Sequence, residues 1–233
     1  MSEIGLLGDL ARDPQGTIIL IIALIFSLSF HEFSHAYIAY KLGDNTAAYQ
    51  GRLTLNPLAH LDPFGSLMLL VVGFGYAKPV PVNPMNLHNP RTDMMKVAFA
   101  GPASNLLLCL AGCLLMRFIG IDELTEVINL KPSYLAPEWE LVFNAKGKML
   151  FTFSAINMML AVFNMIPIHP LDGGQIFGGF LDKVNPKFSY QLRTYGPQVL
   201  MGVIFFGIFT GFSLIGIIIT PFIEIVYILA GIR

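Results

Sequence analysis

The chain has 233 residues, of which 55% are hydrophobic and only 12% are Asp, Glu, Lys or Arg. Soluble domains carry about a quarter charged residues, and disordered chains combine high charge with low hydrophobicity, so this composition argues against both classes. The formal net charge of −1 offers no basic surface for nucleic acid, and two cysteines cannot build a disulfide scaffold. Of the broad classes of protein, the composition fits a membrane protein.

Stretches without charged residues predict where the chain crosses the membrane. There are four long stretches with no Asp, Glu, Lys or Arg: 14–30, 97–116, 149–171 and 194–223. Because a spanning helix needs about 20 apolar residues, each stretch predicts one helix. The predicted spans are about 17–40, 94–117, 149–167 and 198–219.

The tail beyond residue 197 is apolar and fits either one span or two. We therefore expect an all-α polytopic membrane protein with about four to six transmembrane helices. The whole of 1–233 should form one domain, with a core at about 17–197 and C-terminal helices at about 198–232.

The region between the first two predicted spans is irregular. Its apolar stretch 64–77 is rich in glycine and too short to span easily, which is typical of a re-entrant or interfacial element. Pro79, Pro81 and Pro84 then disfavour helix and favour extended backbone. The region is either a surface loop with a short hairpin or a small membrane-associated sheet whose edge strand lies beside a site. The sequence leaves both interpretations open.

Lysine and arginine in short loops mark the cytoplasmic side of a membrane protein. The basic residues are Lys41, Arg52, Lys78 and Arg91 in 41–92, and Lys183, Lys187 and Arg193 in 172–197, whereas 120–148 is acidic. We therefore expect both basic loops on the cytoplasmic side and the N-terminus outside. This pattern predicts a multi-pass protein, with the cell (inner) membrane as its expected location.

Three ionisable residues interrupt the first predicted span, where such groups are costly and usually functional. His31 and His35 are four residues apart, so on a helix they share one face and can converge on one zinc ion. Glu32 borders that face and can take a proton from a water molecule at the metal, as in the H-E-x-x-H pattern of metalloproteases. The alternative is a helix end whose histidines face water.

A catalytic zinc site needs a third protein ligand and an open position for water. The candidates on the same predicted side of the membrane are Asp44, His60, Asp62, His88, Asp93, His169 and Asp172. Asp172 is favoured because prolines break the third span just before it, and Gly173 and Gly174 after it permit close backbone contacts. The alternative is a solvated Asp on a turn that ends the helix.

Two further residues near Asp172 have open roles. Asn164, eight residues earlier, could donate a hydrogen bond to the oxyanion of a tetrahedral intermediate, or could form an ordinary bond between helices. His169 could be a spare ligand, a partner of a ligand or an interfacial residue, and the last is the preferred interpretation.

The motifs resemble those of the site-2 protease family of intramembrane zinc metalloproteases. The resemblance rests on HEFSH at 31–35 and NMIPIHPLDGG at 164–174, with GRLTLNPLAHLDPFGS at 51–66, AKPVPVNP at 77–84 and AGPASN at 100–105. Many members have Asn where this chain has His169. The short 120–148 loop and the absence of a following CBS pair resemble a minimal member without PDZ or CBS domains.

The resemblance implies one catalytic zinc ion held by His31, His35 and Asp172, with Glu32 as the base and Asn164 as the oxyanion donor. It also implies transmembrane protein segments as substrates and a membrane-associated hairpin and sheet in 51–84 that engages them. The basic loops, in turn, predict that cleavage occurs toward the cytoplasmic side of the bilayer.

Two alternatives remain open at this point. One is a catalytically silent zinc-binding membrane protein that acts as a binding or chaperone-like module, which a fourth ligand such as His60 or His169 would favour. The other is a zinc transporter, which would need ionisable residues along several spans. The oligomeric state and the natural substrate cannot be read from the sequence.

Overall fold

The computed structural model describes residues 6–73, 75–120, 125–128 and 140–232, and most of them are helical. The helices are α1 (Leu6–Arg12), α2 (Pro14–Lys41), α3 (Thr46–Tyr49), α4 (Pro63–Val72), α5 (Pro90–Ile119), α6 (Ala145–Asn164), α7 (Asp172–Val184), α8 (Pro186–Thr210) and α9 (Leu214–Ala230). Two short strands, β1 (Thr125–Ile128) and β2 (Glu140–Phe143), pair antiparallel. Single helical turns occur at Pro57–Ala59 and Pro84–Asn86.

By length and composition, three of the described helices could cross a membrane: α2, α5 and α8. The first two contain the predicted spans 17–40 and 94–117. The predicted span 149–167 corresponds to α6, a helix of 20 residues that has two lysines in its first turn and is not among the three. The expected count of four to six spans is therefore not confirmed.

The predicted fourth span, 198–219, is divided between two helices. Gly211 ends α8 with a left-handed backbone (φ 74°), and the Ser213 side chain accepts a hydrogen bond from the Gly216 N–H at the start of α9. An uncharged stretch hides this break, because the signal is a single glycine in an apolar sequence. The 17-residue α9 is apolar but shorter than the three candidate spans.

Helix α2 begins where the sequence supplies a cap. Asp13 precedes Pro14 and accepts a hydrogen bond from the Gly16 N–H at 2.9 Å, which satisfies one of the free donors at the start of α2. Asp13 also pairs with Lys148 of α6. The first turns of α2 and α6 are therefore joined at the same end of the molecule.

The central element is α5, which packs against α2, α6, α7 and α9. Its buried face is lined largely by small or polar residues, including Gly101, Ser104, Asn105 and Gly112. Small side chains let neighbouring helix backbones approach closely, as in membrane helix bundles. This packing brings the middle of α5 next to the second half of α2 and the start of α7.

The β-hairpin or sheet predicted for 51–84 is not confirmed. The described residues there form the Pro57–Ala59 turn, α4 and chain without regular secondary structure, with one isolated bridge between Leu61 and Ala77. The 64–77 stretch contains most of α4, a 10-residue apolar helix; whether it re-enters the membrane stays a prediction.

Candidate metal centre

Two histidines of α2 and the first residue of α7 form a cluster of potential metal ligands. His31 Nε2 lies 2.9 Å from His35 Nε2 and 3.1 Å from Asp172 Oδ2, and His35 Nε2 lies 3.4 Å from the same carboxylate oxygen. Both histidines are buried, and the Asp172 side chain is 18% exposed. These three residues could together bind one metal ion.

Hydrogen bonds to the other ring nitrogens determine which nitrogen carries the proton. His35 Nδ1 lies 2.7 Å from the Val97 carbonyl oxygen, which can only accept, so Nδ1 is protonated. His31 Nδ1 lies 2.6 Å from Asn105 Oδ1. Both contacts come from α5, which therefore orients the two imidazole rings.

The orientation of Asn105 follows from a buried chain of hydrogen bonds. Asn157 Nδ2 donates to the Phe153 carbonyl at 2.9 Å, so Asn157 Oδ1 faces Asn105 and accepts from its Nδ2 at 2.8 Å. Asn105 Oδ1 is then the atom that faces His31. His31 must donate through Nδ1, which leaves the Nε2 lone pair pointing into the cluster.

Three hydrogen-bond acceptors therefore converge in the cluster, and none of them carries a proton that could bond to another. The two Nε2 lone pairs and the Asp172 carboxylate meet, and Asp172 Oδ2 is buried without a hydrogen-bond donor among the described residues. A buried carboxylate in this position needs a cation. A tetrahedral zinc ion with bonds of 2.0–2.1 Å separates its ligand atoms by about 3.3 Å, close to the spacing of these atoms, so the donor set fits zinc.

Gly101 of α5 leaves the space that such an ion requires. A Cβ atom at this position would lie 2.5 Å from His31 Nε2 and closer still to His35 Nε2. The imidazoles cannot easily move away, because Asn105 and the Val97 carbonyl hold their other sides. Among the 20 amino acids only glycine fits without displacing a ligand.

Replacing Gly101 with Ala should lower zinc affinity at least about 10-fold, the scale seen when residues around metal ligands are changed. Gly202 is a matched control in the interior of α8, because a Cβ there would meet nothing within 4 Å. Gly202→Ala should leave zinc binding unchanged. A competition titration with a chelator measures both variants, and equal affinities would contradict the role assigned to Gly101.

The turn that carries Asp172 depends on the two glycines after it. A Cβ at Gly173 would clash with the carbonyl of Met165, and a Cβ at Gly174 would lie 2.5 Å from the His169 nitrogen. The chain after α6 thus folds back tightly against the start of α7. This close packing agrees with the sequence-based expectation for both glycines and fixes the position of the carboxylate.

Glu32 lies next to His31 on α2 and is half-buried. Its Oε2 accepts a hydrogen bond of 3.0 Å from the Val80 backbone N–H. The proline-bearing segment that the sequence marked as extended therefore contacts the predicted base directly.

Asn164 is the last residue of α6, and its side chain bonds within its own helix. Nδ2 donates to the Leu160 carbonyl oxygen at 2.9 Å. The side-chain amide has two N–H groups, so one remains for another acceptor. Its role at the site stays a prediction.

The remaining candidates for a third ligand hold other contacts. Asp44 is completely buried and accepts hydrogen bonds from Thr46, Asn83 and Asn86. Burial raises the pKa of Asp44, but these hydrogen bonds outweigh it and keep the pKa below the usual value for Asp. The other partners are the Gly65 N–H for Asp62, the Asn89 N–H and Lys96 for Asp93, and the Leu42 carbonyl for His88.

His60 and His169 are not part of the three-residue cluster. His60 Nε2 bonds to the Thr54 carbonyl at 2.7 Å, so this nitrogen carries a proton and cannot ligate a metal. His169 is half-buried beside Arg193, and burial together with that positive charge lowers its pKa. Neither histidine acts as a fourth ligand in this arrangement.

Sequence reasoning missed the polar residues that support the ligands. Asn105 and Asn157 are fully buried and link α5 to α6, and Asn157 also donates to Ser27 of α2 at 2.8 Å. A signal was present, because asparagine in the middle of an apolar span is costly unless it has partners. The AGPASN motif contains Asn105, but the motif alone predicts no role for it.

Comparisons with known proteins give a consistent assignment. The family model described as Peptidase family M50 matches residues 19–207. A Bacillus subtilis (strain 168) protein named "Putative zinc metalloprotease YwhC" is 42% identical over 187 residues, 78% of this chain and 78% of that protein. "Putative zinc metalloprotease Rip2" of Mycolicibacterium smegmatis is 28% identical over 183 residues, 76% of this chain and 62% of that protein.

An archaeal relative extends the set. "Zinc metalloprotease MJ0392" of Methanocaldococcus jannaschii is 25% identical over 195 residues, which cover 82% of this chain and 43% of that protein. No solved structure matches the chain. The matched region contains the whole metal-ligand cluster, and the family's zinc fits that cluster. From the extent of these matches, the chain belongs to peptidase family M50, the site-2 protease family of zinc metalloproteases.

Proposed function

We propose that this protein is a zinc-dependent endopeptidase that hydrolyses peptide bonds within or near transmembrane segments of membrane protein substrates. The observation that carries the proposal is the convergence of His31, His35 and Asp172 inside a bundle of apolar helices. Three protein ligands leave a tetrahedral metal one open position, as in catalytic rather than structural zinc sites.

The residues of the chain have distinct tasks in this reaction. His31, His35 and Asp172 would hold a zinc ion, which would supply a Lewis acid for the scissile carbonyl and lower the pKa of the attacking water. Glu32 accepts the proton of that water and passes it to the leaving nitrogen. Asn164 donates its remaining N–H to the oxyanion. Asn105 and the Val97 carbonyl hold the two imidazoles in the protonation state that ligation requires.

An apolar cavity beside the cluster supports a membrane-embedded substrate. Its volume is about 490 Å³, and its lining includes Leu28, one turn before His31, and Phe163, next to Asn164. Residues of α4, α8 and α9 complete its wall. A cavity of this chemistry accepts leucine- and valine-rich segments and disfavours charged ones.

The proposed location of the protein follows from its charge distribution and its apolar helices. The protein is a single-domain, multi-pass protein of the cell (inner) membrane, with its N-terminus outside. The basic loops 41–92 and 172–197 lie on the cytoplasmic side, so cleavage occurs toward that side. The apolar helices and the family membership support a bilayer environment.

Metal removal tests the proposed function. The protein is purified in detergent, reconstituted into vesicles with a single-span substrate, and assayed for cleavage and bound zinc together. A chelator should abolish cleavage, and equimolar Zn²⁺ should restore it. Cleavage that survives complete removal of zinc would contradict a metalloprotease. Bound zinc without cleavage of membrane substrates would favour the silent zinc-binding module instead.

A further inference from the structure

The geometry points to Val80 as a positioning residue for the reaction: its backbone N–H holds the Glu32 carboxylate in its working orientation. The N–H is presented by a strap, defined here as residues 78–83, which has no regular secondary structure and contacts α2 through this N–H. The inference rests on the proposed function, because it assumes that Glu32 is the base.

The contact itself joins distant parts of the chain. The Val80 nitrogen lies 3.0 Å from Glu32 Oε2, although the two residues are 48 positions apart. Among the described residues, this is the only hydrogen bond to the Glu32 carboxylate. A bond from a backbone N–H to an ionised carboxylate is about twice as strong as one between neutral groups. Among the described residues Oε1 accepts no hydrogen bond, so it stays available to the attacking water.

The sequence of the strap makes this N–H special. Val80 stands between Pro79 and Pro81, and proline has no backbone N–H, so Val80 is the one donor of the tripeptide. Pro81 also restricts Val80 to extended conformations. The tripeptide therefore offers a single N–H on a stiff backbone, and that N–H points at Glu32.

Hydrogen bonds on both sides of Val80 fix the strap in place. Before it, the Lys78 N–H donates to the His60 carbonyl at 2.8 Å, and Arg52 Nη2 donates to the Lys78 carbonyl at 2.6 Å. Arg52 and His60 are both buried, at 5% and 1% exposure.

On the other side of Val80, the Asn83 N–H donates to Asp44 Oδ2 at 2.7 Å, and Asn86 Nδ2 donates to Asp44 Oδ1 at 2.8 Å. Asp44 has no exposed surface. The strap is thus attached to buried side chains before and after the residue that contacts Glu32. A strap that is fixed at both ends can hold the Glu32 carboxylate in one orientation through successive turnovers.

The activity test compares Val80→Pro with Val80→Ala. The proline variant removes the N–H but keeps the extended backbone that its neighbours already impose, whereas the alanine variant keeps the N–H and shortens the side chain. We expect V80P to lower kcat about 10- to 100-fold, the scale of a misplaced catalytic group, with zinc content and KM close to wild type. V80A should retain wild-type kcat. Equal kcat values for V80P and V80A would overturn the inference.

A second variant decides the case in which V80P loses zinc or fails to fold. The double substitution P79A/P81A keeps the Val80 N–H but removes the restraint on its backbone. It should lower kcat several-fold without changing zinc content. An unchanged kcat would overturn the role of the strap.

A measurement without activity tests the hydrogen bond directly. In protein labelled with ¹⁵N-valine, the Val80 amide signal is identified by its absence in V80A. Glu32→Ala should shift this signal and accelerate its exchange with solvent, whereas Glu224→Ala, on α9, should not. A Val80 signal that does not respond to Glu32→Ala would overturn the contact. If wild type cleaves no substrate, the proposed function fails while this measurement still decides whether Val80 holds Glu32.

Discussion

Glu32→Gln should abolish peptide cleavage while zinc stays bound. The substitution removes the group that accepts the proton of the attacking water, and general-base catalysis contributes about 100- to 10,000-fold. Gln keeps a side-chain oxygen that can accept the Val80 N–H bond seen for Glu32, so the strap and the helix should keep their places. The metal ligands are untouched, because Glu32 is not part of the ligand cluster.

The measurement combines zinc analysis with single-turnover cleavage of a membrane substrate in vesicles. We expect the zinc content of wild type with a rate at least about 100-fold lower. Loss of zinc together with loss of cleavage would show that Glu32 supports the metal site instead. Full activity in the variant would exclude Glu32 as the base and direct the search to another acid.

The proximity of His31 and His35 could be predicted from local geometry, whereas that of Asp172 depended on its wider context in the sequence. His31 and His35 are one turn apart on a helix, and the helical period alone places them on one face. Asp172 was indicated by the exclusion of other candidates and by the prolines that break the helix before it. The structure places its carboxylate 3.1 Å from His31. Asp44 and Asp93 make hydrogen bonds elsewhere, as do His60 and His88, and His169 lies outside the cluster.

The supporting contacts could not be predicted, because they depend on how separate helices pack. His31 and Asn105 are 74 positions apart, and the partner of His35 is a backbone carbonyl that no side-chain pattern reveals. The need for glycine at position 101 likewise appears only when α5 lies against both imidazoles. Periodicity predicts which residues share a helix face, but it does not predict which residue of the next helix meets them.

The 51–84 region shows a different limit. Its prolines favour extended backbone, which led to the expectation of a hairpin or sheet, but they also remove the N–H groups that a strand partner needs. The chain there instead uses side-chain acceptors, Glu32 for Val80 and Asp44 for Asn83. Extended conformation and strand pairing are separate properties, and the sequence indicated only the first.

Asp172→Ala should remove both zinc and activity. The carboxylate is one of the three proposed ligands and the anionic one among them, so its loss would leave two neutral imidazoles that share a face of α2. Changes in residues that merely support ligands typically cost about 10- to 100-fold in metal affinity, and loss of a ligand should exceed that range. Zinc analysis after dialysis against a weak chelator, together with the cleavage assay, measures the effect.

Asp182 provides a matched control on the same helix. Its partner is Arg193, at 2.6 Å, and both side chains are partly exposed, at 30% and 43%. Surface ion pairs contribute about 0–1 kcal/mol, so Asp182→Ala should leave the fold and the zinc content unchanged. If Asp172→Ala retained wild-type zinc, a residue outside the cluster would have to complete the site. Loss of zinc in both variants would instead indicate that α7 as a whole had moved, and the contribution of Asp172 would then be to the fold rather than to the metal.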